Sequence, residues 1–327
     1  MAGWDLKLGA PDAETQNARR GRPEHARCAR VTLVIQTWAE LVAELDKALA
    51  FALGLGLDVP SSRFTKFRTL LVDLDDLLQR AGNAAALRRF MADVELNGAA
   101  LTESHELVTI LPFLQSISPD RSRRKLRIVL QGPTSPSDEQ PQSTEARNTM
   151  FELNLAARLQ RVGLDVEIGG DADLGFTCNG VRWFRECKRP WKVETIESNI
   201  GEACRQLGER LSSSRLAARG LLAISVSRSL ATRAPYLEYS GEAELRRTLK
   251  DHVSSMVRLM EERMQGIERC HRVGGLGLLI AHVIMPAWDA HAGIPTSVQY
   301  SAGTDVNQDK RGDGKRLWGL IERTFSR

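Results

Sequence analysis

Residues 173–188 read Asp173-Leu-Gly-Phe-Thr-Cys-Asn-Gly-Val-Arg-Trp-Phe-Arg-Glu-Cys-Lys188, and this stretch decides the fold. Two runs rich in apolar, aromatic and β-branched residues flank Asn179-Gly180. Asn-Gly between strand-like runs is the strongest local signal for a β-hairpin turn. The sequence therefore predicts two antiparallel strands, 173–178 and 181–188, that are joined by this turn.

Three charged side chains lie at the ends of the two predicted strands. Asp173 opens the first strand, and Glu186 and Lys188 close the second. Residues two apart on a strand point to the same face of a sheet, so Glu186 and Lys188 are expected to lie side by side. Two carboxylates and an amine gathered on one sheet are suited to holding a divalent metal with a water beside it.

Phosphodiester hydrolysis explains why these residue types belong together. A metal polarises the phosphoryl oxygen and lowers the pKa of the attacking water. Mg²⁺ is a hard ion that binds one or two carboxylates and keeps waters or phosphate oxygens as its other ligands. We expect Asp173 and Glu186 to bind the metal, with the backbone carbonyl of Cys187 as a third oxygen. Lys188 is expected to orient the water or to stabilise negative charge in the transition state.

Helices and strands alternate on both sides of the hairpin. The apolar periodicity predicts an amphipathic helix over 145–162 and a strand over 165–169 before it. After it, the sequence predicts a helix (194–213), a strand (220–227), a helix (242–265) and a strand (275–285). The predicted order is αβββαβ followed by αβ, and the tail, 286–327, is expected to be rich in loops and to end in a short helix near 317–325.

The stretch from about 145 to 228 resembles the core of the PD-(D/E)XK nucleases, the restriction-endonuclease-like fold. That family has an Asp on the second core strand and Glu-x-Lys on the third, matched here by Asp173 and Glu186-Cys-Lys188. Many members add a Glu from the first core helix, and some subfamilies place a Gln on the helix after Glu-x-Lys. Glu152 and Gln206 stand at these positions. The chain departs from the family pattern in having Ala172, where a proline often precedes the Asp.

The resemblance implies both a fold and an activity. The fold is an α/β, restriction-endonuclease-like αβββαβ core with a mixed central sheet, preceded by an all-helical N-terminal region. The activity is that of a Mg²⁺-dependent endonuclease, with Mn²⁺ as a substitute metal. Asp173, Glu186 and Lys188 are then catalytic, Glu152 adds a metal contact, and Gln206 assists.

The resemblance also bears on partners and setting. It implies DNA as the substrate, with RNA as the weaker alternative, and a prokaryotic restriction or phage-defence system as the setting. A homodimer and a partner ATPase or helicase are its candidate assemblies. A second interpretation stays open, in which the fold is kept without catalysis and the protein is a module that binds nucleic acid or a partner protein.

Basic residues follow the predicted site. Arg189-Pro-Trp-Lys192 places two cations and an indole directly after Lys188, and Arg205 and Arg210 lie on the next predicted helix. Cations hold phosphates, and an aromatic ring packs against a sugar or a base. Arg189, Trp191, Lys192 and Arg205 are therefore candidate nucleic-acid contacts. A basic loop anchored by one aromatic residue is an equally good interpretation.

The N-terminal half predicts helices. Residues 1–30 are expected to be a flexible basic arm, 31–130 a helical domain, 131–144 a linker rich in Gly, Pro and Ser, and 145–327 the nuclease domain with a C-terminal extension. Thr37-Trp-Ala-Glu40 is a capping-box pattern that opens the first helix. Further helices are predicted at 64–82, 84–96 and 102–112. The basic cluster Arg121–Arg127 leads into a predicted strand, Leu126–Leu130, and is either a phosphate contact or a solvated face.

Composition limits the class of protein. The 327 residues are 42% hydrophobic and 26% charged, as is ordinary for a globular protein, and the net charge of +4 permits an anionic partner without demanding one. Five cysteines without CxxC spacing predict neither a disulfide framework nor a zinc site. The first residues show no secretory signal pattern, and Ala48–Leu57, the longest apolar stretch, is too short to span a bilayer. We therefore expect a cytoplasmic protein without membrane contact.

Overall fold

One mixed β-sheet organises the part of the chain that the computed structural model describes. That part comprises residues 27–28, 32–34, 37–140, 144–168, 174–190, 192–214, 218–231, 235–265, 275–289, 295–305 and 312–324. The strands are β1 (Arg27–Cys28), β2 (Thr32–Val34), β3 (Val166–Glu167), β4 (Leu174–Cys178), β5 (Val181–Lys188), β6 (Ala218–Ser225), β7 (Leu237–Tyr239), β8 (Leu276–Asp289) and β9 (Pro295–Asp305). Their order is β1-β9-β8-β6-β5-β4-β3, with β2 also paired to β9 and β7 to β8.

Helices cover the two faces of this sheet. In chain order they are α1 (Trp38–Gly54), α2 (Arg63–Ala81), α3 (Asn83–Ala92), α4 (Val94–Ser116), α5 (Pro119–Leu130), α6 (Glu145–Arg161), α7 (Ile196–Ser213), α8 (Ser227–Ala231), α9 (Glu242–Gln265) and α10 (Asp313–Thr324). None of the helices in the described ranges combines the length and the apolar character that a membrane crossing requires.

The predicted start of the first helix is confirmed. Thr37 Oγ1 accepts a hydrogen bond from the Glu40 backbone N–H, and a Glu40 carboxylate oxygen accepts one from the Thr37 N–H at 2.9 Å. Both bonds satisfy donors that the first turn of a helix leaves unpaired. Helix α2 ends as predicted at Gly82, whose φ of 75° suits a residue without a side chain.

The helix after α3 differs from the prediction. Two helices, 84–96 and 102–112, were expected, whereas α3 ends at Ala92 and α4 runs unbroken from Val94 to Ser116 through Pro112. Helix α4 is buried almost all round, so its sequence lacks the one-sided apolar pattern that marks a surface helix. The burial of Phe113 and Leu114 beyond the proline offsets the cost of about 3 kcal/mol that proline imposes inside a helix.

The predicted strand Leu126–Leu130 is wrong, because this segment is the second half of helix α5. Ser118 has the extended backbone of an N-cap residue, and Pro119 occupies the first turn, where its missing N–H does no harm. Leu126, Val129 and Leu130 have helical spacing and are all buried. The run of basic residues before them conceals this period in the sequence.

The predicted αβββαβ order is confirmed from α6 to β6. Strands β4 and β5 pair antiparallel, from Leu174 opposite Arg185 to Cys178 opposite Val181. Asn179 and Gly180 form the turn with φ of 51° and 76°, the backbone of the tight hairpin that Asn-Gly favours. Strand β6 lies parallel to β5 on its other side, as a crossover through helix α7 requires. The structure is therefore mixed α/β.

The tail is more ordered than predicted. Strand β8 continues through Pro286 to Asp289, and β9 returns antiparallel beside it, where loops were expected. Strand β9 could not be predicted from apolar alternation, because several of its buried side chains are polar. These are Thr296, Ser297, Gln299 and Ser301. Strands β1 and β2 pair with β9, so residues 27–28 of the predicted arm form a strand, while residues 1–26 lie outside the described ranges.

Two hydrophobic clusters fill the space on the two faces of the sheet. One joins the N-terminal helices to the sheet, with Phe64 and Phe113 in the same cluster as Trp183 and Ile280. The other lies beneath α7 and α9. Within the predicted linker, Glu139 is buried. The helices and the sheet thus share one cluster, and the division into domains at 131–144 stays a prediction.

One cysteine forms a disulfide bond that the cysteine spacing did not predict. Cys178 and Cys187 are free, but Cys204 is disulfide-bonded. The spacing of cysteines in a sequence reveals only local frameworks, and a bond between distant segments leaves no such pattern.

Candidate functional site

Strand β5 divides the predicted site residues between the two faces of the sheet. Glu186 and Lys188 face helix α7, where their partners are Arg210 and Gln206. Arg185 faces the opposite helix, α6, and Cys187 packs against the cluster on that side. The strand period of two therefore places the carboxylate and the amine together, as the sequence predicted.

Glu186 is a buried carboxylate held between two cations. Its side chain is 1% exposed, one carboxylate oxygen contacts Arg210 Nη1, and the other lies 3.8 Å from Lys188 Nζ. A buried carboxylate without compensating charge is strongly disfavoured, and these two cations supply that compensation. From the sequence, Arg210 was only a possible contact of a nucleic-acid backbone. Its position one turn after Gln206 on α7 is the signal that could have placed it beside Glu186.

Lys188 is fixed by a second contact on α7. Its Nζ donates a hydrogen bond of 2.7 Å to Gln206 Oε1. The side chain of Lys188 is 18% exposed, so the ammonium group lies at the border between the interior and solvent. The structure therefore brings together Glu186, Lys188 and Gln206, three of the predicted catalytic residues.

Glu152 approaches β5 from the other face. Its carboxylate lies 3.3 Å from Lys125 Nζ on α5, and its backbone carbonyl accepts a 2.9 Å hydrogen bond from Arg185 Nη2. Arg185 is fully buried and directly precedes Glu186 in the strand. Glu152 is thus connected to the strand that carries the site, but across it from Gln206.

The residues fit a hard divalent cation in their chemistry. Glu186 supplies a carboxylate and Cys187 a backbone carbonyl, the oxygen ligands that Mg²⁺ prefers. Among the described residues no three acidic, histidine or cysteine side chains converge on one point. Asp173, the second predicted carboxylate, lies outside the described ranges, directly before Leu174, whose backbone pairs with Arg185.

The predicted nucleic-acid contacts have different surroundings. Trp191 lies outside the described residues, and Lys192 is exposed. Arg205 is also exposed, but it forms ion pairs of 2.6 Å with both Glu202 and Glu209 on its own helix.

Arg189 is turned inward. Its Nε is buried without a hydrogen-bond partner among the described residues, and its positive charge acts on the buried carboxylates Glu103 and Glu106. The sequence suggested a surface contact for this arginine, whereas the structure places it beside interior charges.

An open polar groove adjoins the site on the α7 side. It has a volume of about 360 Å³, and its walls are Arg205, Gln206, Glu209, Arg210 and Ser213. Gln206 and Arg210 belong to both the groove and the site, so the groove borders the residues that contact Lys188 and Glu186.

A network of buried ion pairs could not be predicted from any local pattern in the sequence. Arg147 Nε lies 2.7 Å from one oxygen of Glu103, and Arg63 Nη2 lies 3.0 Å from the other. Arg147 also lies 3.5 Å from Glu139, which contacts Arg228. These five residues come from five separate segments, so no local pattern could have grouped them, and they tie the predicted linker to both halves of the chain.

Comparison of the chain with models of protein families, with curated proteins and with solved structures finds no match. The chemistry of the site is therefore inferred from its own residues.

Proposed function

We propose that the protein is a Mg²⁺-dependent nuclease that hydrolyses phosphodiester bonds in DNA. The observation that carries this proposal is the grouping of Glu186, Lys188 and Gln206 on one face of β5, at the end of a hairpin whose first strand follows Asp173. The fold that accompanies this proposal is the restriction-endonuclease-like core, supported by the αβββαβ order and by the mixed pairing of β4, β5 and β6.

Each residue has a role that follows from its chemistry. Asp173 and Glu186, with the Cys187 carbonyl, would hold the metal, and Glu152 would add a contact from α6. When bound, Mg²⁺ supplies charge stabilisation and a more acidic water. Lys188 donates hydrogen bonds toward the attacking water or the phosphate oxygens, and Gln206 fixes the direction of its ammonium group. Arg210 stands at the groove, where a phosphate oxygen competes with Glu186 for its guanidinium.

The biological setting is a proposal that rests on the resemblance alone. It places the protein in the cytoplasm of a prokaryote, in restriction or phage defence, with a homodimer or a partner ATPase or helicase as candidate assemblies. The arrangement of charges around Glu186 supports no choice among these.

One observation favours a second candidate function. Both carboxylate oxygens of Glu186 already face cations, so the carboxylate is compensated without a metal. An inactive module of the same fold, binding nucleic acid or a partner protein, is consistent with that pairing.

Incubation of the purified protein with plasmid DNA, linear DNA and RNA in Mg²⁺ or Mn²⁺ separates the two candidates. The nuclease proposal predicts cleavage that Asp173→Ala and Lys188→Ala abolish. Retained nucleic-acid binding without cleavage of any of the three substrates would overturn it in favour of the binding module.

A further inference from the structure

Helix α5 concentrates positive charge. Five of its twelve residues are cationic and one, Asp120, is acidic, which gives a net charge of +4. The net charge of the whole chain is also +4, so all other residues together are neutral. The cations are Arg121, Arg123, Arg124, Lys125 and Arg127.

Packing directs this charge outward. Ser122, Leu126 and Val129 bury one side of α5, and Arg121, Arg124 and Arg127 are exposed on the remainder. Residues three apart are neighbours on a helix surface. With a rise of 1.5 Å per residue, these three arginines form a stripe about 9 Å long.

Within the described ranges, Arg121, Arg124 and Arg127 form no ion pair, whereas many exposed arginines on other helices are paired with carboxylates. The paired examples are Arg80 with Asp76, Arg205 with Glu202 and Glu209, Arg246 with Glu242, and Arg263 with Glu197. The α5 stripe is therefore available to an anion from outside the chain.

Helix α5 is connected to the strand that carries the candidate site, from the face opposite Lys188 and Gln206. Helix α5 packs on α6, where Lys125 Nζ lies 3.3 Å from the Glu152 carboxylate. The Glu152 carbonyl is bonded to Arg185, the residue before Glu186. A ligand bound along α5 thus lies beside the helix that connects to the site strand.

The exposed side chains of the described residues favour a nucleic acid over a protein or a membrane as the partner. The only large hydrophobic side chain exposed among the described residues is Leu53, on α1. Protein interfaces bury apolar and aromatic anchors, and helices that insert into membranes present Trp, Phe or Leu at the surface. A phosphate backbone needs only cations.

We propose that the stripe Arg121-Arg124-Arg127 binds the phosphate backbone of DNA and holds the duplex along the helix that packs on α6. The choice of DNA rests on the proposed function, but the binding itself does not depend on catalysis.

The test is equilibrium binding of a labelled DNA duplex, and separately of anionic lipid vesicles, in EDTA over a range of NaCl concentrations. It compares the wild type with the variant R121Q/R124Q/R127Q. The matched control is R247Q/K250Q/R258Q on α9, which removes three exposed cations from a helix whose five basic and five acidic residues balance. Thermal unfolding of each protein checks that the fold is kept.

Each lost phosphate contact reduces the slope of log K against log salt by about 0.9. The α5 variant should therefore lose about 2.7 in slope and bind on the order of 10²-fold more weakly near 0.1 M salt, while the α9 control keeps the wild-type slope. An unchanged slope in the α5 variant, an equal fall in the control, or a wild type that binds anionic vesicles but no DNA would overturn the inference.

The results that would contradict DNA binding by α5 differ from those that would contradict the proposed nuclease function. If the wild type binds DNA through α5 in EDTA but cuts nothing in Mg²⁺, the inference stands and the nuclease proposal fails. If the wild type cuts DNA and the α5 variant binds and cuts with the same salt dependence, the inference alone fails.

Discussion

The carboxylate of Glu186 lies against the guanidinium of Arg210 on the helix that follows its strand, and only 1% of the Glu186 side chain is exposed. Lys188 is the second cation, 3.8 Å away. Arg210 thus supplies, without metal, part of the positive charge that a bound Mg²⁺ supplies in the proposed active state. Because Glu186 is buried, the free energy of unfolding depends on whether Arg210 or a bound metal ion supplies the positive charge beside it.

Arg210→Met should lower the free energy of unfolding by about 3 kcal/mol, because it removes the cation in direct contact with the buried Glu186 and leaves the more distant Lys188. Added Mg²⁺ should then raise the melting temperature of the variant more than that of the wild type, since the metal replaces the lost charge. Thermal unfolding with and without Mg²⁺ measures both effects.

Arg205→Met is the matched control on the same helix and should change the stability little, because Arg205 and its partners Glu202 and Glu209 are all exposed. Equal Mg²⁺ effects on Arg210→Met and the wild type would contradict a metal role for Glu186.

Gln206→Leu should reduce the rate of DNA cleavage on the order of 10- to 100-fold, the usual effect of losing a residue that orients a functional group. The KM for DNA should change little, because Gln206 positions Lys188 rather than binding substrate in this account. Steady-state kinetics measures both quantities. Gln206→Glu, which keeps an acceptor oxygen, should recover part of the rate, and a variant at Gln160, bonded to Ser116 on the surface, should behave as the wild type.

Glu103→Gln should destabilise the protein at neutral pH by about 3–5 kcal/mol, because Arg63 and Arg147 lose their shared buried partner. Burial alone would raise the pKa of Glu103, but Arg147 and Arg63 outweigh it and the pKa is lowered from 4.5. The stabilisation is therefore complete above about pH 4.5 and is lost as the pH falls through the lowered pKa.

Urea unfolding between pH 3 and 7 should thus show that the difference between the wild type and Glu103→Gln shrinks below about pH 4.5. The exposed Glu202→Gln is the control, with little effect at any pH. A constant difference across this range would refute the role of the Glu103 charge.

Glu106→Gln should have the opposite pH dependence. Burial raises the pKa of Glu106 to about 7, with Arg189 opposing the change. The folded protein holds this carboxyl protonated where the unfolded chain has lost the proton, so the wild type loses stability between about pH 4.5 and 7, by about 3 kcal/mol. The variant should match the wild type near pH 4.5 and exceed it at pH 8. Melting temperatures at both pH values measure this, and an equal gain at both would point to packing instead of charge.

The hairpin and its flanking elements could be predicted because their signals are local. Asn179-Gly180 fixes the turn, and the period of two on β5 places Glu186 beside Lys188. The apolar stripes of α6 and α7 similarly reveal amphipathic helices that each cover one face of a sheet.

The elements that were predicted wrongly lack a clear local pattern, either because polar residues are buried in them or because charged residues interrupt their apolar period. Strand β9 carries buried polar residues such as Gln299, helix α4 is buried almost all round and continues past Pro112, and the period of α5 is concealed by its arginines. The network of ion pairs around Arg147 joins residues far apart in sequence, so it is visible only in the folded protein.

Cleavage of supercoiled plasmid by Glu186→Gln, in Mg²⁺ and in Mn²⁺, tests directly whether Glu186 binds a catalytic metal. Glutamine keeps the shape of the side chain and removes the charge that a metal requires. We expect the wild type to convert the plasmid to nicked or linear forms, and EDTA to prevent this. Glu186→Gln should be inactive, with a loss of at least about 10²-fold, while the surface control Glu202→Gln keeps full activity. Cleavage by Glu186→Gln at the wild-type rate would contradict the assignment of Glu186 as a ligand of a catalytic metal.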